Sequence, residues 1–366
     1  MTELLVTGGA GFIGSNFVRH WRRTWPQDGI VVLDALAYAG NKANLADVAD
    51  IEFVHGDVRD TELVVSLLTR HRTDTIVNFA AETHVDRSIA TPERFVQVNV
   101  GGAHALMEAA KRVWLDRGSG LPHRFHQVST DEVFGSIPTG SPPATENTRY
   151  APSSPYAATK AAADHLVQAY GHTYGLQATI TRSSNNYGPF QFPEKLIPLC
   201  LINALLGKRL PVYGTGENKR SWMHVNDTCR AIELVLTQGV AGASYNIGTA
   251  CEQRNLDVVA AICEFVDDAF RSDEALRRRF AACPSARGAT AHDLIEKVED
   301  RPGHDDRYAM TLESTRAELG FTPRHQWSKA LPATLKWYVD NERWWRPVVE
   351  GPNFQQWLTA RYRQRE

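Results

Sequence analysis

A glycine string, Gly8-Gly9-Ala10-Gly11-Phe12-Ile13-Gly14, follows the apolar run Leu4-Leu5-Val6 and opens a stretch of helical spacing from Phe12 to Trp21. It fits G-x-G-x-x-G from Gly9 and G-x-x-G-x-x-G from Gly8. Glycines at these places permit a tight turn and let backbone N–H groups approach a pyrophosphate at a helix N-terminus. The string alone would also fit a plain strand–helix joint. However, the second apolar run, Ile30-Val31-Val32-Leu33, ends in Asp34, twenty positions after Gly14. An acid there meets the ribose hydroxyls of a dinucleotide. Asp34 repels a 2′-phosphate, and Ala35 and Leu36 bring no arginine to receive one, so NAD is expected over NADP. Asp57-Val58, after the third run, is expected at the adenine edge; the alternative is a plain loop acid.

The first half goes on alternating short apolar runs with helical stretches. Ile51 to Val54, Thr75 to Phe79 and Phe125 to Val128 read as further strands buried on both faces. Val100 to Val113 and the alanine-rich stretch Tyr156 to Tyr174 read as helices. Such alternation predicts an α/β fold, a Rossmann-type doubly wound parallel sheet. After about residue 185 the texture changes. Pro189, Pro193, Pro198 and Pro211 punctuate shorter elements, and Tyr245-Asn246-Ile247 reads as a brief strand returning to the sheet. The expected organisation is a cofactor-binding domain over 1–185. A smaller, interleaved substrate-binding region over 186–366 follows it, with some segments returning to the first domain.

Composition narrows the function classes. A chain of 366 residues with formal charge −2 shows no electrostatic footprint for nucleic acid. No run of about 18 apolar residues occurs, so no membrane span is expected. The start Glu3-Leu4-Leu5-Val6-Thr7 does not read as a secretion signal. Cys200, Cys229, Cys251, Cys263 and Cys283 are scattered and odd in number, which predicts reduced core cysteines in a cytoplasmic protein and no metal site. Asn226-Asp227-Thr228 is a chance sequon on that reading. Arg277-Arg278-Arg279 reads as a solvated face. Trp327, Trp337, Trp344, Trp345 and Trp357 read as packing for a terminal helix.

Two constellations carry chemistry. Tyr156 and Lys160 form a Y-x-x-x-K pair on one helix face. A tyrosine acting as a base near neutral pH needs its phenolate stabilised by about 3 pKa units, roughly 4 kcal/mol. An adjacent ammonium and a cationic nicotinamide have the right sign of field. Ser129-Thr130-Asp131-Glu132 follows the strand ending at Val128, where strand ends face a ligand crevice. Ser129-x-x-Glu132 also fits a capping box. A hexose oxidised at carbon 4 acquires an acidic hydrogen on carbon 5, which a carboxylate can remove. A neighbouring carboxylic acid can then protonate the hydroxyl leaving carbon 6. Adjacent acids in a partly dry site supply one ionised and one protonated carboxyl, because like charges push one pKa upward.

These residues resemble the dTDP-glucose 4,6-dehydratases, within the extended short-chain dehydrogenase/reductase group, over nearly the whole chain. The resemblance includes the glycine string, Ala80 to Ser88, Thr130-Asp131-Glu132 and Tyr156 to Lys160. It continues through Arg182 to Pro189, Phe192-Pro193-Glu194-Lys195-Leu196-Ile197-Pro198, Pro211 to Gly214 and Asp300 to His304. It implies a hydro-lyase with tightly bound NAD, acting as a homodimer on a nucleotide-sugar substrate. Two-fold pairing would use the helices Val100 to Val113 and Tyr156 to Tyr174. Within that reading Thr130 hydrogen-bonds the sugar, Asp131 is the acid, Glu132 the base at carbon 5, Tyr156 the oxidation base and Lys160 its partner. Gly8, Gly11, Phe12, Ile13, Gly14, Asp34, Asp57, Val58, Ala80, Ala81, Asn99, Tyr156, Lys160 and Asn186 would line NAD. His84, Asn185, Lys195, Leu196, Pro211, Tyr213, Arg220, Asn255, Arg301 and His304 would surround the sugar nucleotide.

Ser221 stands where the family commonly has aspartate, and Arg271 to His292 is longer than usual. Both bear on the choice of nucleotide and sugar, so a UDP-sugar stays open. Two further readings stay open at this point. A 4-epimerase would share the oxidation but has no need of Asp131-Glu132. A non-catalytic NAD-binding scaffold has no reason to keep Tyr156, Lys160 and the acid pair together.

Overall fold

The computed structural model describes residues 1–352, 354–356 and 358. Its centre is a parallel sheet of seven strands: Glu3–Thr7 (β1), Gly29–Asp34 (β2), Glu52–His55 (β3), Thr75–Asn78 (β4), Arg124–Thr130 (β5), Ala178–Ser183 (β6) and Ser244–Ile247. They lie in the order Ser244–Ile247, β6, β5, β4, β1, β2, β3, and every pairing is parallel. The chain builds outward from β1 to β3, then crosses to β4 and builds the other way. The strand order therefore reverses between β1 and β4, and the crevice at that reversal opens at the carboxyl ends of the strands.

The expected strands are present with small shifts at their ends. β3 departs in character: Glu52 and His55 are exposed. It is the sheet's edge, where charged side chains discourage pairing with another chain. Ser244–Ile247 does return to the sheet, against β6. β6 itself was not legible in the sequence. Its residues Ala178-Thr179-Ile180-Thr181-Arg182-Ser183 look half polar, yet all six are buried. The polar groups are absorbed inside: His126 on β5 pairs through its two ring nitrogens with the hydroxyls of Thr179 and Thr181, at 2.9 and 3.1 Å. Arg182 donates to the Tyr150 hydroxyl at 2.6 Å.

The helix Phe12–Thr24 follows the glycine string, and Pro155–Tyr174 carries the Y-x-x-x-K pair, capped at its start by Ser154. The stretch expected as one helix from Val100 to Val113 contains π-helical turns at Val96–Gly102 and Lys111–Asp116. Such turns recur where a helix must aim a side chain at a functional site. Here the first contains Asn99. Gly102 permits close approach, since a Cβ there would sit 2.8 Å from Val58 Cγ2.

The second half forms two small sheets. Asn185–Tyr187, Lys219–His224 and Glu252–Arg254 make one; Leu210–Tyr213 and Ile295–Val298 make the other. The long segment after Arg271 folds back on the helix Asn255–Ser272. The Asp267 carboxylate accepts hydrogen bonds from Ser285, Thr290 and the Ala291 backbone. The segment then delivers Ile295–Val298 and, directly after it, the loop Asp300 to His304.

The tri-arginine does not act as a patch. Arg277 donates to the Phe270 carbonyl, Arg278 pairs with Glu274, and Arg279 reaches Glu342 and the Val339 carbonyl. Trp345 is fully buried and Trp344 donates to Asn44 at 2.7 Å. Trp337 and Trp327 pack against aromatic neighbours in the same region. Trp357 lies outside the described residues. All five cysteines are free thiols. Among the described residues no helix is long and apolar enough to cross a membrane, and no metal-ligand cluster occurs.

Candidate active site

A cavity of about 400 Å³ runs along the carboxyl ends of the strands. Gly8, Gly11, Phe12, Ile13 and Gly14 line it after β1, and Asp34 does so at the end of β2. Asp57 and Val58 follow β3, Ala80 and Ala81 follow β4, and Asn185 and Asn186 follow β6. The glycine turn is sterically required. Gly8 has φ +66°, and a Cβ on it would lie 2.6 Å from the Ala80 nitrogen. A Cβ on Gly14 would lie 2.4 Å from the Gly8 carbonyl oxygen. The Asp34 carboxylate accepts from the backbone N–H groups of Ala10 at 2.9 Å and Leu36 at 2.8 Å. This fixes it at the cavity wall. Burial raises its pKa, opposed by those two hydrogen bonds.

Asn99 lies behind this wall. Its side chain accepts from the Glu82 N–H at 2.8 Å and donates to the Glu82 carbonyl at 3.0 Å and to Thr159 at 3.0 Å. It clamps the loop after β4 to the helix Pro155–Tyr174.

Thr130, Asp131, Glu132, Tyr156 and Lys160 line the same cavity, with Lys195 and Leu196. Glu132 is the second residue of a short 3₁₀ helix, Asp131–Phe134, whose cap is Thr130. The capping-box reading from Ser129 is corrected here. Ser129 donates instead to Asp164 at 2.8 Å, and Thr130 accepts from the Glu132 N–H at 3.3 Å. Thr130 also hydrogen-bonds the Tyr156 phenol.

The two carboxyl groups differ in their surroundings. Burial and the neighbouring Glu132 push Asp131 up to about 8, with only Arg220 prominent in opposition among the side-chain charges. Its Oδ2 is buried with no hydrogen-bond partner among the described residues. Burial also raises Glu132, but Arg301, Arg220 and Lys195 all act to keep it ionised. One carboxyl is therefore set up to hold a proton and the other faces three cations.

The helix pair behaves differently from the sequence expectation. Lys160 donates to the Val128 carbonyl at 2.7 Å, and burial lowers its pKa to about 8. Tyr156 is pushed up, first by burial and then by the Glu132 carboxylate, with the Thr130 hydroxyl opposing. Burial, with the Glu132 carboxylate beside it, holds Tyr156 as a neutral phenol. The expected lowering by Lys160 is outweighed because desolvation of a phenolate in this wall is the larger effect.

The outer residues divide. Arg220 is buried, donating to the carbonyls of Lys219 and Asp305, each at 2.8 Å, with its guanidinium 4.2 Å over the Tyr308 ring. It is no solvated surface charge. His304 accompanies Asp300 at 2.7 Å and faces the Tyr213 ring edge-on at 6.0 Å. Arg301 lies close enough to Glu132 to affect its ionisation. Pro211 and Asn255 sit on the strand and helix leading into this end. His84 is buried beside Asp86 and Glu194, at 3.5 and 3.9 Å, away from the cavity lining. Ser221 donates to the Thr249 carbonyl inside its sheet.

Several lining residues carried no sequence signal, Tyr38 among them. Tyr38 is held by Thr83 at 3.2 Å and by the Arg87 guanidinium 4.5 Å over its ring. No motif marks Tyr38; only the fold brings it beside the loop after β4.

A model of the GDP-mannose 4,6 dehydratase family matches residues 5–333. dTDP-glucose 4,6-dehydratase 1 of Escherichia coli (strain K12) is 43% identical over 377 residues, covering 100% of each chain. This chain belongs to the dTDP-glucose 4,6-dehydratase family. The structure of DesIV, a dTDP-glucose 4,6-dehydratase from Streptomyces venezuelae solved with NAD bound, aligns at TM-score 0.83 and 44% identity, over 95% of this chain and 100% of that one. A UDP-glucose 4-epimerase from Thermus thermophilus, complexed with NAD, aligns at TM-score 0.79 but only 27% identity, over 93% and 100%. The wider fold is thus shared with epimerases, while the sequence similarity is higher to the dTDP-glucose 4,6-dehydratases.

Proposed function

We propose that this chain converts dTDP-glucose to dTDP-4-keto-6-deoxyglucose with tightly bound NAD. The observation that carries the reading is the unequal pair: Asp131, pushed up to about 8, beside Glu132, which faces Arg301, Arg220 and Lys195. Elimination of water needs one acid and one base side by side; epimerisation needs neither.

The cavity suits a dinucleotide. The glycine turn leaves no room for a Cβ at Gly8 or Gly14, and the Asp34 carboxylate lines the wall beside it. Ser184 Oγ and Asn185 Oδ1 are buried there without hydrogen-bond partners among the described residues. Bound there, NAD would supply the hydride acceptor for carbon 4 and the donor for carbon 6, and its cationic ring would add the field that a Tyr156 phenolate needs. Lys160 and Asp34 would hold the ribose hydroxyls. Tyr156 takes the proton of the carbon-4 hydroxyl, with Thr130 orienting both. Glu132 removes the hydrogen from carbon 5, Asp131 gives its proton to the hydroxyl leaving carbon 6, and Glu132 returns a proton to carbon 5. The cationic cluster of Arg301, Arg220 and Lys195 keeps Glu132 basic and stabilises negative charge at the keto oxygen and the nucleotide phosphates.

A panel of nucleotide hexoses read by mass spectrometry tests the assignment. dTDP-glucose is expected to lose one water, ahead of UDP- and GDP-hexoses. Conversion with no change of mass would leave the epimerase reading instead.

We further assign residues 1–185 to cofactor binding and 186–366 mainly to substrate binding, in a cytoplasmic homodimer. Exposed Val96 and Tyr174, at the edges of the two helices expected to pair, support the dimer. Sedimentation at micromolar protein should give twice the chain mass; a monomer would exclude it.

A further inference from the structure

Behind Glu132, on the side away from the cofactor turn, lies a line of hydroxyl and carboxyl groups that the reaction as described does not use. The Tyr308 hydroxyl is 3.5 Å from Glu132 Oε2 and donates to Asp305 Oδ2 at 2.7 Å. The same Asp305 oxygen accepts from the Ser153 hydroxyl. Tyr308 and Asp305 are buried, at 3% and 8% exposure, whereas Ser153 is exposed. The line therefore starts at the base and ends at the surface. The Arg220 guanidinium covers the Tyr308 ring at 4.2 Å and donates to the Asp305 carbonyl, holding the middle of the line rigid. Ser153 directly precedes Ser154, the cap of the helix that carries Tyr156.

We propose that Tyr308, Asp305 and Ser153 form a proton relay that exchanges the proton on Glu132 with solvent during turnover. This rests on the functional reading above, in which Glu132 takes the carbon-5 hydrogen and later gives a proton back to that carbon. In between, Glu132 carries the proton as a carboxylic acid. Its O–H can donate to the Tyr308 oxygen while the Tyr308 O–H passes to Asp305; an O–H bond breaks at Glu132, one breaks and one forms at Tyr308, one forms at Asp305, and no charge is left on the phenol. Asp305, then protonated, passes its proton through Ser153 to water. The reverse sequence brings a solvent proton to Glu132. Burial and the nearby Glu132 carboxylate push Tyr308 well above the ordinary phenol range. It thus conducts as a neutral donor–acceptor and does not become a trap. The 3.5 Å gap to Glu132 is long for an O–H···O bond, and active-site hydrogen bonds of this kind tighten when the substrate is seated. These three residues act through Glu132 and touch no reacting atom, so they are positioning and relay groups.

The test is an internal ratio. Unlabelled dTDP-glucose is turned over in heavy water by the full chain with its NAD, stopped early, and the product is read for deuterium against hydrogen at carbon 5. The unsubstituted chain should place mainly deuterium there. Tyr308→Phe and Asp305→Asn should return mainly the substrate's own hydrogen, at least a five-fold fall in the deuterium-to-hydrogen ratio. Ser153→Ala, at an exposed position that does not endanger folding, should lower the ratio in the same direction by a smaller factor. The ratio is measured per product molecule, so partial misfolding does not alter it, and a longer-lived intermediate would raise the ratio, opposite to the fall expected. An unchanged ratio in all three variants, or retained hydrogen in the unsubstituted chain, overturns the relay. Absence of any dehydrated product from the unsubstituted chain would instead overturn the functional reading itself.

Discussion

Asp131→Asn should slow formation of the dehydrated product by about 10²- to 10⁴-fold, the usual range for loss of a positioned general acid. The substitution keeps the shape of the side chain and removes the proton destined for the carbon-6 hydroxyl. Glu132, Tyr156 and Lys160 stay in place, so oxidation at carbon 4 and removal of the carbon-5 hydrogen should continue. Substrate recovered from heavy water should then carry deuterium at carbon 5 although little product forms. Glu132→Gln should block both product and exchange. Exchange that survives Glu132→Gln and vanishes in Asp131→Asn would reverse the two assignments.

The same assignment fixes a pH dependence. Asp131 is the acid and holds its proton below about 8, where burial and Glu132 have pushed it. Turnover should accordingly decline as pH rises through about 8, because the proton donor is lost. Such an alkaline limb should be shallower in whatever residual activity Asp131→Asn retains, where Lys160, lowered by burial to about 8, is the group left to titrate in that range. A rate that keeps rising through that range would count against Asp131 as the acid.

Tyr156→Phe should lose product and carbon-5 exchange together, by about 10²- to 10⁴-fold or more. Without the phenol no group is placed to take the carbon-4 hydroxyl proton, so the ketone that acidifies carbon 5 does not form. The ring stays packed against Phe95, which it meets edge-on at 6.4 Å, so the fold should be little changed. The contrast with Asp131→Asn is diagnostic, because one variant exchanges carbon 5 and the other does not. Exchange in Tyr156→Phe at the rate of the unsubstituted chain would remove Tyr156 from the oxidation step.

Much of this site could be read from short motifs whose chemistry is local. The glycine turn, Asp34, the acid pair and Tyr156 with Lys160 each sit where a strand ends or a helix begins, and strand–helix alternation orders those ends along one crevice. What escaped was set by contacts distant in sequence. β6 reads as polar until His126, Tyr150 and Asp164 are seen to absorb its threonines and arginine. Arg220 was expected beside the sugar nucleotide, but its anchoring by the Asp305 carbonyl and the Tyr308 ring was not legible. Tyr38 has no motif at all. The ionisation of Tyr156 could not be read from its spacing to Lys160, because burial outweighs the helix pair.

The most direct measurement uses dTDP-glucose carrying deuterium on carbon 4 and follows that single label. A product one water lighter, with the deuterium on carbon 6, is expected, because the hydrogen removed in the oxidation is the one returned after elimination. Deuterium found in the solvent, or still on carbon 4 of an epimerised product of unchanged mass, would contradict the proposed sequence of oxidation, water loss and re-reduction in one site.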